Sequence, residues 1–256
     1  MKKLAAKLSL VTLSTLSLLS ISVNAQAASL RGDLLTKFSG FVQAEGKAFS
    51  ELSLPKLDAS QLYWDGNPNS VEVFFIDEGA GFRNQLLYSA NDQPLEMIFE
   101  DVSSPYSTLS NSDGPLALGQ GKALPTFFGP TQLSFFIRSN GFNGGQDVYG
   151  SDAYSNSTVA GQTVNGDGLS HLVAYNYFDE VSKENYTIIG FEDLWGKLGA
   201  TGGKNQGSDR DFNDVVFAVK GLSSRKPEQV PEPSALLGLL AVGALGAKQL
   251  KRQIAA

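Results

Sequence analysis

From Leu62 onward the chain carries short runs of β-branched and aromatic residues, separated by Gly, Pro, Asn and Asp. Such runs are typical of strands, and frequent turn residues between them favour an antiparallel sandwich or barrel. We therefore predict a mainly β fold, an antiparallel β-sandwich of jelly-roll type. The clearest runs are 71–76, 84–89, 95–102, 132–138, 171–178, 186–191 and 214–220.

Three connecting segments add detail. The sequence Asn165-Gly166-Asp167-Gly168 lies directly before the run at His171 and supplies residues that accept a positive φ in a tight turn. Between residues 30 and 52, apolar residues recur at three- and four-residue spacing, which is compatible with a short N-terminal helix. Residues 105–130 are rich in Ser, Gly and Pro and predict a long surface connection.

The N-terminal end has the order of a secretory signal peptide. Lys2, Lys3 and Lys7 precede an uncharged apolar stretch at 8–23, and small-residue cleavage patterns follow at 23–25 and 25–27. We predict a signal helix within residues 1–28 and a mature chain that starts between Gln26 and Ser29.

The C-terminal end is apolar in a different way. Val230-Pro231-Glu232-Pro233-Ser234 leads into an uncharged run at 235–247, and Lys248, Lys251 and Arg252 follow. As a helix, about 13 residues span roughly 20 Å, against a hydrocarbon core of about 30 Å. This predicts a short hydrophobic helix that inserts into a membrane transiently, with its basic end on the cytoplasmic side.

This three-part tail resembles the PEP-CTERM sorting signal of Gram-negative bacteria and cyanobacteria. The resemblance covers about the last 25 residues. It implies that an exosortase, a membrane transpeptidase, reads Pro231, Glu232 and Pro233. The chain would then be a substrate of that enzyme, carried to the cell surface or the extracellular matrix.

Charge is distributed unevenly along the chain. Six of its 20 basic residues belong to the two terminal clusters, whereas all 26 acidic residues lie between those clusters. The region between them therefore carries 14 basic and 26 acidic residues, a net charge of −12, against −6 for the whole chain. A nucleic-acid partner is disfavoured because it needs a basic footprint, and divalent cations are favoured.

The densest acidic cluster consists of two segments near the end of the predicted β domain. Glu192-Asp193 follows one strand run, and the segment Asp209 to Asp214 precedes the next. Carboxylate and amide oxygens are the ligands that calcium prefers. We predict a calcium site from Glu192, Asp193, Asp209, Asp211, Asn213 and Asp214.

Two alternatives concern this cluster. The Asp-x-Asp-x-Asn pattern opens like an EF-hand loop, but Asp214 and Lys220 stand where that loop has its glycine and its bidentate Glu. The other alternative is an acidic turn capped by its own side chains, without an ion. Crowded carboxylates with only Arg210 and Lys204 nearby argue for a counter-ion.

A second resemblance covers residues 70–220, which look like the DUF4114 family, an extracellular bacterial domain of unknown function. The resemblance implies a secreted, β-rich and calcium-binding domain. The loop at 196–208 is longer than that family pattern, which leaves open whether Glu192 and Asp193 reach the same ion as Asp209 and Asp211. The matching segments are 75–86 with Gly81 and Asn84, 116–119, 136–141, 171–175, 191–194 and 209–217.

Other site types find little support in the sequence. A single histidine, His171, excludes zinc sites that need two or three, and we expect it to be structural. The chain has no cysteine and no catalytic motif. A glycosidase needs only two carboxylates, so a secreted carbohydrate-active hydrolase stays open as an alternative. Its sugar-stacking candidates are Tyr63, Trp64, Tyr154 and Trp195.

The predicted organisation has five parts: the signal peptide (1–28), an N-terminal extension (29–60), the β-sandwich domain (61–221), a linker (222–229) and the sorting signal (230–252). The predicted function is that of a non-catalytic surface protein. Its calcium-stabilised domain would bind exopolysaccharide or a surface partner.

Overall fold

The computed structural model describes residues 27–42, 47, 54–64, 71–108, 114–127 and 129–224. The predicted signal helix, the sorting motif Pro231–Pro233 and the C-terminal hydrophobic helix lie outside these residues. Across the described part of the chain, no helix is long and apolar enough to cross a membrane.

Seven strands form the first sheet, and every neighbouring pair in it is antiparallel. Their spatial order is β1 (Ala27–Ser29), β7 (Gln120–Ala123), β4 (Glu72–Asp77), β16 (Val215–Lys220), β13 (Glu184–Phe191), β12 (Leu172–Asp179) and β2 (Lys56–Leu57).

Eight strands form the second sheet around β8 (Thr131–Arg138), which pairs with three neighbours. On one side the order runs through β9 (Val148–Tyr149) and β11 (Gln162–Val164) to β10 (Ser157–Val159). The other neighbours are β3 (Tyr63–Trp64), followed by β17 (Leu222–Ser223), and β5 (Asn84–Ala90), followed by β6 (Glu96–Val102). The pairing of β9 with β11 is parallel. A separate hairpin consists of β14 (Thr201–Gly202) and β15 (Asn205–Gln206).

The main core lies between the two sheets. Alternate residues of the first sheet, such as Phe75 and Phe217, share one buried cluster with Leu86 and Phe135 of the second. The rings of Phe99 and Phe217 stack with centroids 5.9 Å apart. Side chains alternate between the two faces of a strand, so one face of each sheet contributes to this core.

Helix α1 (Gly32–Ser39) covers the other face of the first sheet. Leu34 and Phe38 on the helix pack against Phe74, Tyr186 and neighbouring sheet residues in a second buried cluster. The central strands are thus apolar on both faces, which is why their sequences read as continuous apolar runs rather than as alternating ones.

Strand β7 lies inside the segment that the sequence assigned to a surface connection. Its residues have low strand propensity, but it pairs with β4 and β1 and so extends the sheet. At Gly121 an added Cβ would lie 2.5 Å from the Phe74 ring. The strand therefore depends on a glycine that lets it pass under that ring.

The mainly β, antiparallel fold predicted from the sequence is confirmed, and each of the seven predicted runs forms a strand. The helix in the 30–52 segment is shorter than that segment and ends at Ser39, before Gly40. The tight turn at 165–168 is also present, with positive φ at Asn165 and Gly168. The jelly-roll connectivity stays a prediction.

Candidate metal centre

The two acidic segments meet because their strands are neighbours. Phe191, the last residue of β13, is paired with Val215, the first residue of β16. Glu192-Asp193 leaves the sheet where the segment 209–214 enters it. Antiparallel pairing therefore brings residues about 20 positions apart in the sequence to the same end of these two neighbouring strands.

Three of the six predicted ligands converge there. Carboxylate oxygens of Glu192, Asp209 and Asp211 all lie within 4.8 Å of one another. Glu192 and Asp211 are buried, whereas Asp209 is partly exposed. Asn213 is buried beside them, and its backbone N–H donates to Asp211 Oδ1 at 3.0 Å.

Glu192 is the most unusual of these side chains. It is completely buried, and neither carboxylate oxygen has a hydrogen-bond partner among the described residues. Burial raises the pKa of this carboxyl from 4.5 to about 7. The Ser208 hydroxyl and the Arg210 charge oppose the rise, while Asp193 and Asp209 reinforce it. The Ser208 hydroxyl and the Arg210 charge therefore offset the burial of Glu192 only in part.

Asp193 and Asp214 are held by other partners. Asp214 Oδ2 accepts the backbone N–H of Asp193 at 2.7 Å, and Asp193 Oδ2 accepts the side-chain amide of Asn84 at 2.7 Å. The Ser139 hydroxyl donates to the Asp193 carbonyl at 2.8 Å. Burial and the neighbouring carboxylates raise the pKa of Asp214. These two residues fix the loops and lie close to the converging carboxylates, outside the group of three whose oxygens lie within 4.8 Å of one another. Their role as ligands stays a prediction.

The long loop between the acidic segments folds back on itself. Residues 201–206 form the hairpin β14–β15. The Gly199 N–H donates to the Ser208 carbonyl at 2.7 Å and so joins the two ends of the loop. The extra residues therefore project away as a hairpin, and Glu192 remains beside Asp209 despite the loop's length.

Alternate residues of the 209–213 segment have different surroundings. Asp209 and Asp211 belong to the carboxylate cluster, whereas Arg210 donates to the Ser170 carbonyl and lies 4.9 Å from the Phe212 ring centroid. Arg210 and Phe212 both have positive φ, at 56° and 62°. Such conformations are unfavourable for non-glycine residues and are found where surrounding structure holds them, often at ligand sites.

His171 is a buried structural residue behind the cluster. Its Nδ1 is hydrogen-bonded to the Glu192 carbonyl at 3.0 Å and its Nε2 to Asp167 Oδ2 at 2.9 Å. Its ring stacks on Tyr149 with centroids 4.0 Å apart. These contacts match the structural role expected from the sequence, and they hold the Glu192 backbone in place.

Asp167 and Asn84 are the site residues whose roles sequence reasoning missed. Asp167 belongs to the predicted turn, yet its carboxylate also accepts the Gly196 N–H at 3.0 Å. Burial disfavours the charge, but bonds from His171 and Gly196 hold the pKa of Asp167 at about 2. The four-residue spacing of Asp167 and His171 was the available signal. For Asn84 the signal was its place in a segment resembling DUF4114.

The aromatic side chains proposed for sugar stacking are dispersed. Trp64 is buried in the main core near Phe127, and Tyr154 is hydrogen-bonded through its hydroxyl to Ser134. The partly buried Trp195 has the Lys204 ammonium 4.9 Å from its ring centroid. Tyr63 lies on β3. The four do not form one platform.

Two regions of the chain match family models. Residues 127–222 match DUF4114, a domain of unknown function, and residues 229–253 match the PEP-CTERM protein-sorting motif. Both resemblances recognised in the sequence are confirmed, although the DUF4114 match begins later than residue 70. No curated protein and no solved structure matches the chain. The sorting motif supports export, processing by an exosortase, and a cell-surface or extracellular location.

Proposed function

We propose that this chain is a non-catalytic surface protein whose β domain is stabilised by calcium and binds exopolysaccharide or another surface partner. Delivery would depend on exosortase processing of the C-terminal tail, after transient insertion of its hydrophobic helix. The calcium site would consist of Glu192, Asp209 and Asp211, with Asn213 as a further oxygen donor beside them.

The observation that carries this proposal is the Glu192 carboxylate. A buried carboxylate without a hydrogen-bond partner in the described structure is costly, because burial removes the water that would stabilise its charge. Buried polar groups are normally satisfied by protein, water or an ion. A divalent cation would supply the missing positive charge.

The spacing of the carboxylates fits calcium. Two oxygens bound to one calcium ion at about 2.4 Å can be at most about 4.8 Å apart. The oxygens of Glu192, Asp209 and Asp211 meet this limit. Calcium takes six to eight oxygen ligands, and the buried Ser208 hydroxyl beside Glu192 is a further candidate.

A self-capped acidic turn explains only part of this arrangement. Asp209 Oδ1 accepts the Asp211 N–H at 3.4 Å, and Asp211 Oδ1 accepts the Asn213 N–H at 3.0 Å. Turn capping therefore accounts for one oxygen of each aspartate. It leaves Glu192 unexplained, since no backbone N–H in the described chain donates to it.

The hydrolase alternative is less well supported. Glycosidases place their two carboxyl groups about 5–10 Å apart across a substrate. The closest carboxylate oxygens in this cluster lie within 4.8 Å of one another, and Glu192 is buried. The four dispersed aromatic residues form no sugar-stacking platform beside these carboxylates. These features favour a binding module.

The test is thermal unfolding of the exported protein in calcium, in magnesium and in EDTA. We expect calcium to raise the melting temperature by several degrees, and magnesium to raise it much less. Asp211→Asn should lose most of the calcium effect, whereas Glu100→Gln, an exposed carboxylate on β6, should retain it. Equal melting temperatures in calcium and EDTA would refute the calcium site.

A further inference from the structure

A cleft of about 550 Å³ lies beside the carboxylate cluster, in the volume range of small-ligand sites. Its walls come from three parts of the chain. These are the residues 56–60 of β2 and the turn after it, the start of the 3-10 helix Asp152–Tyr154, and the residues around the start of β12. Phe212, from the segment that carries Asp209 and Asp211, completes the wall.

The lining combines exposed polar groups with apolar side chains. Lys56, Asp58 and Asp152 are exposed at the rim. Leu57 and Phe212 are partly buried and supply apolar surface inside the cleft. A saccharide presents hydroxyl groups at its edges and C–H groups on its ring faces. Carboxylates and an ammonium group can bind the hydroxyl groups, and apolar side chains can contact the C–H groups.

The charge of the lining restricts the class of saccharide that can bind. Two carboxylates and one ammonium give the lining a net charge of −1. A polysaccharide of uronic acids would bring its own carboxylates towards Asp58 and Asp152, and like charges at an interface are repelled. The lining therefore favours a neutral saccharide.

One wall is already held in a fixed conformation. Asp58 Oδ1 accepts both the backbone N–H and the hydroxyl of Ser60, at 2.9 and 2.6 Å. The Gln132 side chain donates to the Ser60 carbonyl at 2.6 Å. A wall ordered before binding loses little conformational entropy when a ligand arrives.

The opposite wall depends on the candidate calcium segment. Phe212 lies between Asp211 and Asn213, and Arg210 connects Asp209–Asp211 to Ser170, another lining residue. Both Arg210 and Phe212 are held at positive φ. An ion that fixes Asp209 and Asp211 would thus also fix Phe212 and Ser170 in the cleft.

We infer that this cleft is a binding site for a short neutral saccharide and that calcium at the carboxylate cluster organises its Phe212 wall. The inference rests on the proposed calcium site for its metal dependence. The walls at residues 56–60 and 152–153 do not belong to that site.

The experiment is calorimetric titration of the exported protein with neutral tetrasaccharides of glucose, mannose, galactose and N-acetylglucosamine, and with tetragalacturonate. In calcium we expect at least one neutral tetrasaccharide to bind, and tetragalacturonate to bind much more weakly. Asp152→Ala should weaken binding about tenfold or more, and its calcium-induced rise in melting temperature should match the wild type. Glu100→Ala, remote from the lining, should bind like the wild type.

Removing calcium tests the saccharide site and its dependence on calcium separately. EDTA and Asp211→Asn should each abolish saccharide binding. Failure of all four neutral tetrasaccharides, preference for tetragalacturonate, or wild-type binding by Asp152→Ala would overturn the saccharide site even if calcium stabilises the protein. Saccharide binding that persists in EDTA would overturn the coupling to calcium, while an unchanged melting temperature in calcium would refute the metal site itself.

Discussion

At the scale of single residues, Glu192 and His171 are buried neighbours with opposite surroundings. His171 has a partner at each ring nitrogen, including Asp167 at 2.9 Å. Glu192 has none for its carboxylate in the described structure, and its closest neighbours include further carboxylates. The backbone of Glu192 is fixed through His171, whereas burial raises the pKa of its carboxyl to about 7.

Glu192→Gln should therefore separate folding from metal binding. Without calcium, the variant should be as stable as the wild type or more stable, by up to about 1–3 kcal/mol, because a neutral amide is cheaper to bury than a charge. With calcium, the variant should gain little stability, since it lacks a ligand oxygen that carries charge.

The measurement for this variant is urea unfolding in EDTA and in calcium, with Glu100→Gln as the exposed control. A Glu192→Gln protein that is strongly destabilised in EDTA would contradict the interpretation of Glu192 as an uncompensated charge.

The lowered pKa of Asp167 predicts that the protein loses stability in acid. Its pKa is lowered from 3.8 to about 2, so its contribution is fully present above the unfolded-state pKa and is lost as the pH falls towards 2. The difference in unfolding free energy between wild type and Asp167→Asn should be constant from about pH 7 to about pH 5 and shrink below about pH 4. A difference that stays constant down to about pH 2 would show that Asp167 is not held in its charged form.

At the scale of elements, helix α1 acts as the cover of one sheet face. Phe38 is buried, and its ring centroid lies 5.1 Å from that of Tyr177 and 5.5 Å from that of Tyr186. An isolated helix of eight residues is marginal in water. Its stability therefore comes from packing against the sheet rather than from its own sequence.

Phe38→Ala should destabilise the protein by about 3–5 kcal/mol, because it removes a large buried ring and leaves a cavity. The matched control is Phe178→Ala, where the ring is partly exposed on β12 and a much smaller loss is expected. Chemical unfolding of both variants in calcium gives the comparison. Similar losses for the two would mean that α1 is not part of the cooperative fold.

At the scale of the whole molecule, the acidic middle of the chain and the C-terminal sorting motif are separate in sequence. The region between the two basic clusters has a net charge of −12 and carries the proposed metal and saccharide sites. The PEP-CTERM motif at 229–253 follows the last described strand, β17, and supports delivery by an exosortase. Substitutions in the motif should thus alter location without altering the fold.

Pro231→Ala combined with Glu232→Ala should leave a longer species that is retained in the membrane. Pro227→Ala, just before the matched region, is the control and should be processed normally. Intact mass and cell fractionation measure both outcomes. Unchanged mass and location of the double variant would refute recognition of Pro231 and Glu232.

The sequence by itself determined the positions of the seven longest strands, the C-terminal sorting motif and the acidic segments at 192–193 and 209–214. These features are local, because strands, turns and sorting motifs depend on neighbouring residues. The N-terminal signal peptide stays a prediction. Only the tertiary structure decided which acids meet. Strand pairing placed Glu192 with Asp209 and Asp211, and it brought the Asn84 amide within hydrogen-bonding distance of Asp193.

The tertiary structure also decided which acidic side chains are buried. Glu192 and Asp209 are both acidic residues in the sequence, and only the packing of the two sheets and their loops made one buried and the other partly exposed. The residues of β7 have low strand propensity, and they form a strand because they pair with the backbone of β4. Contacts between residues far apart in the chain decide such matters, and no local pattern encodes them.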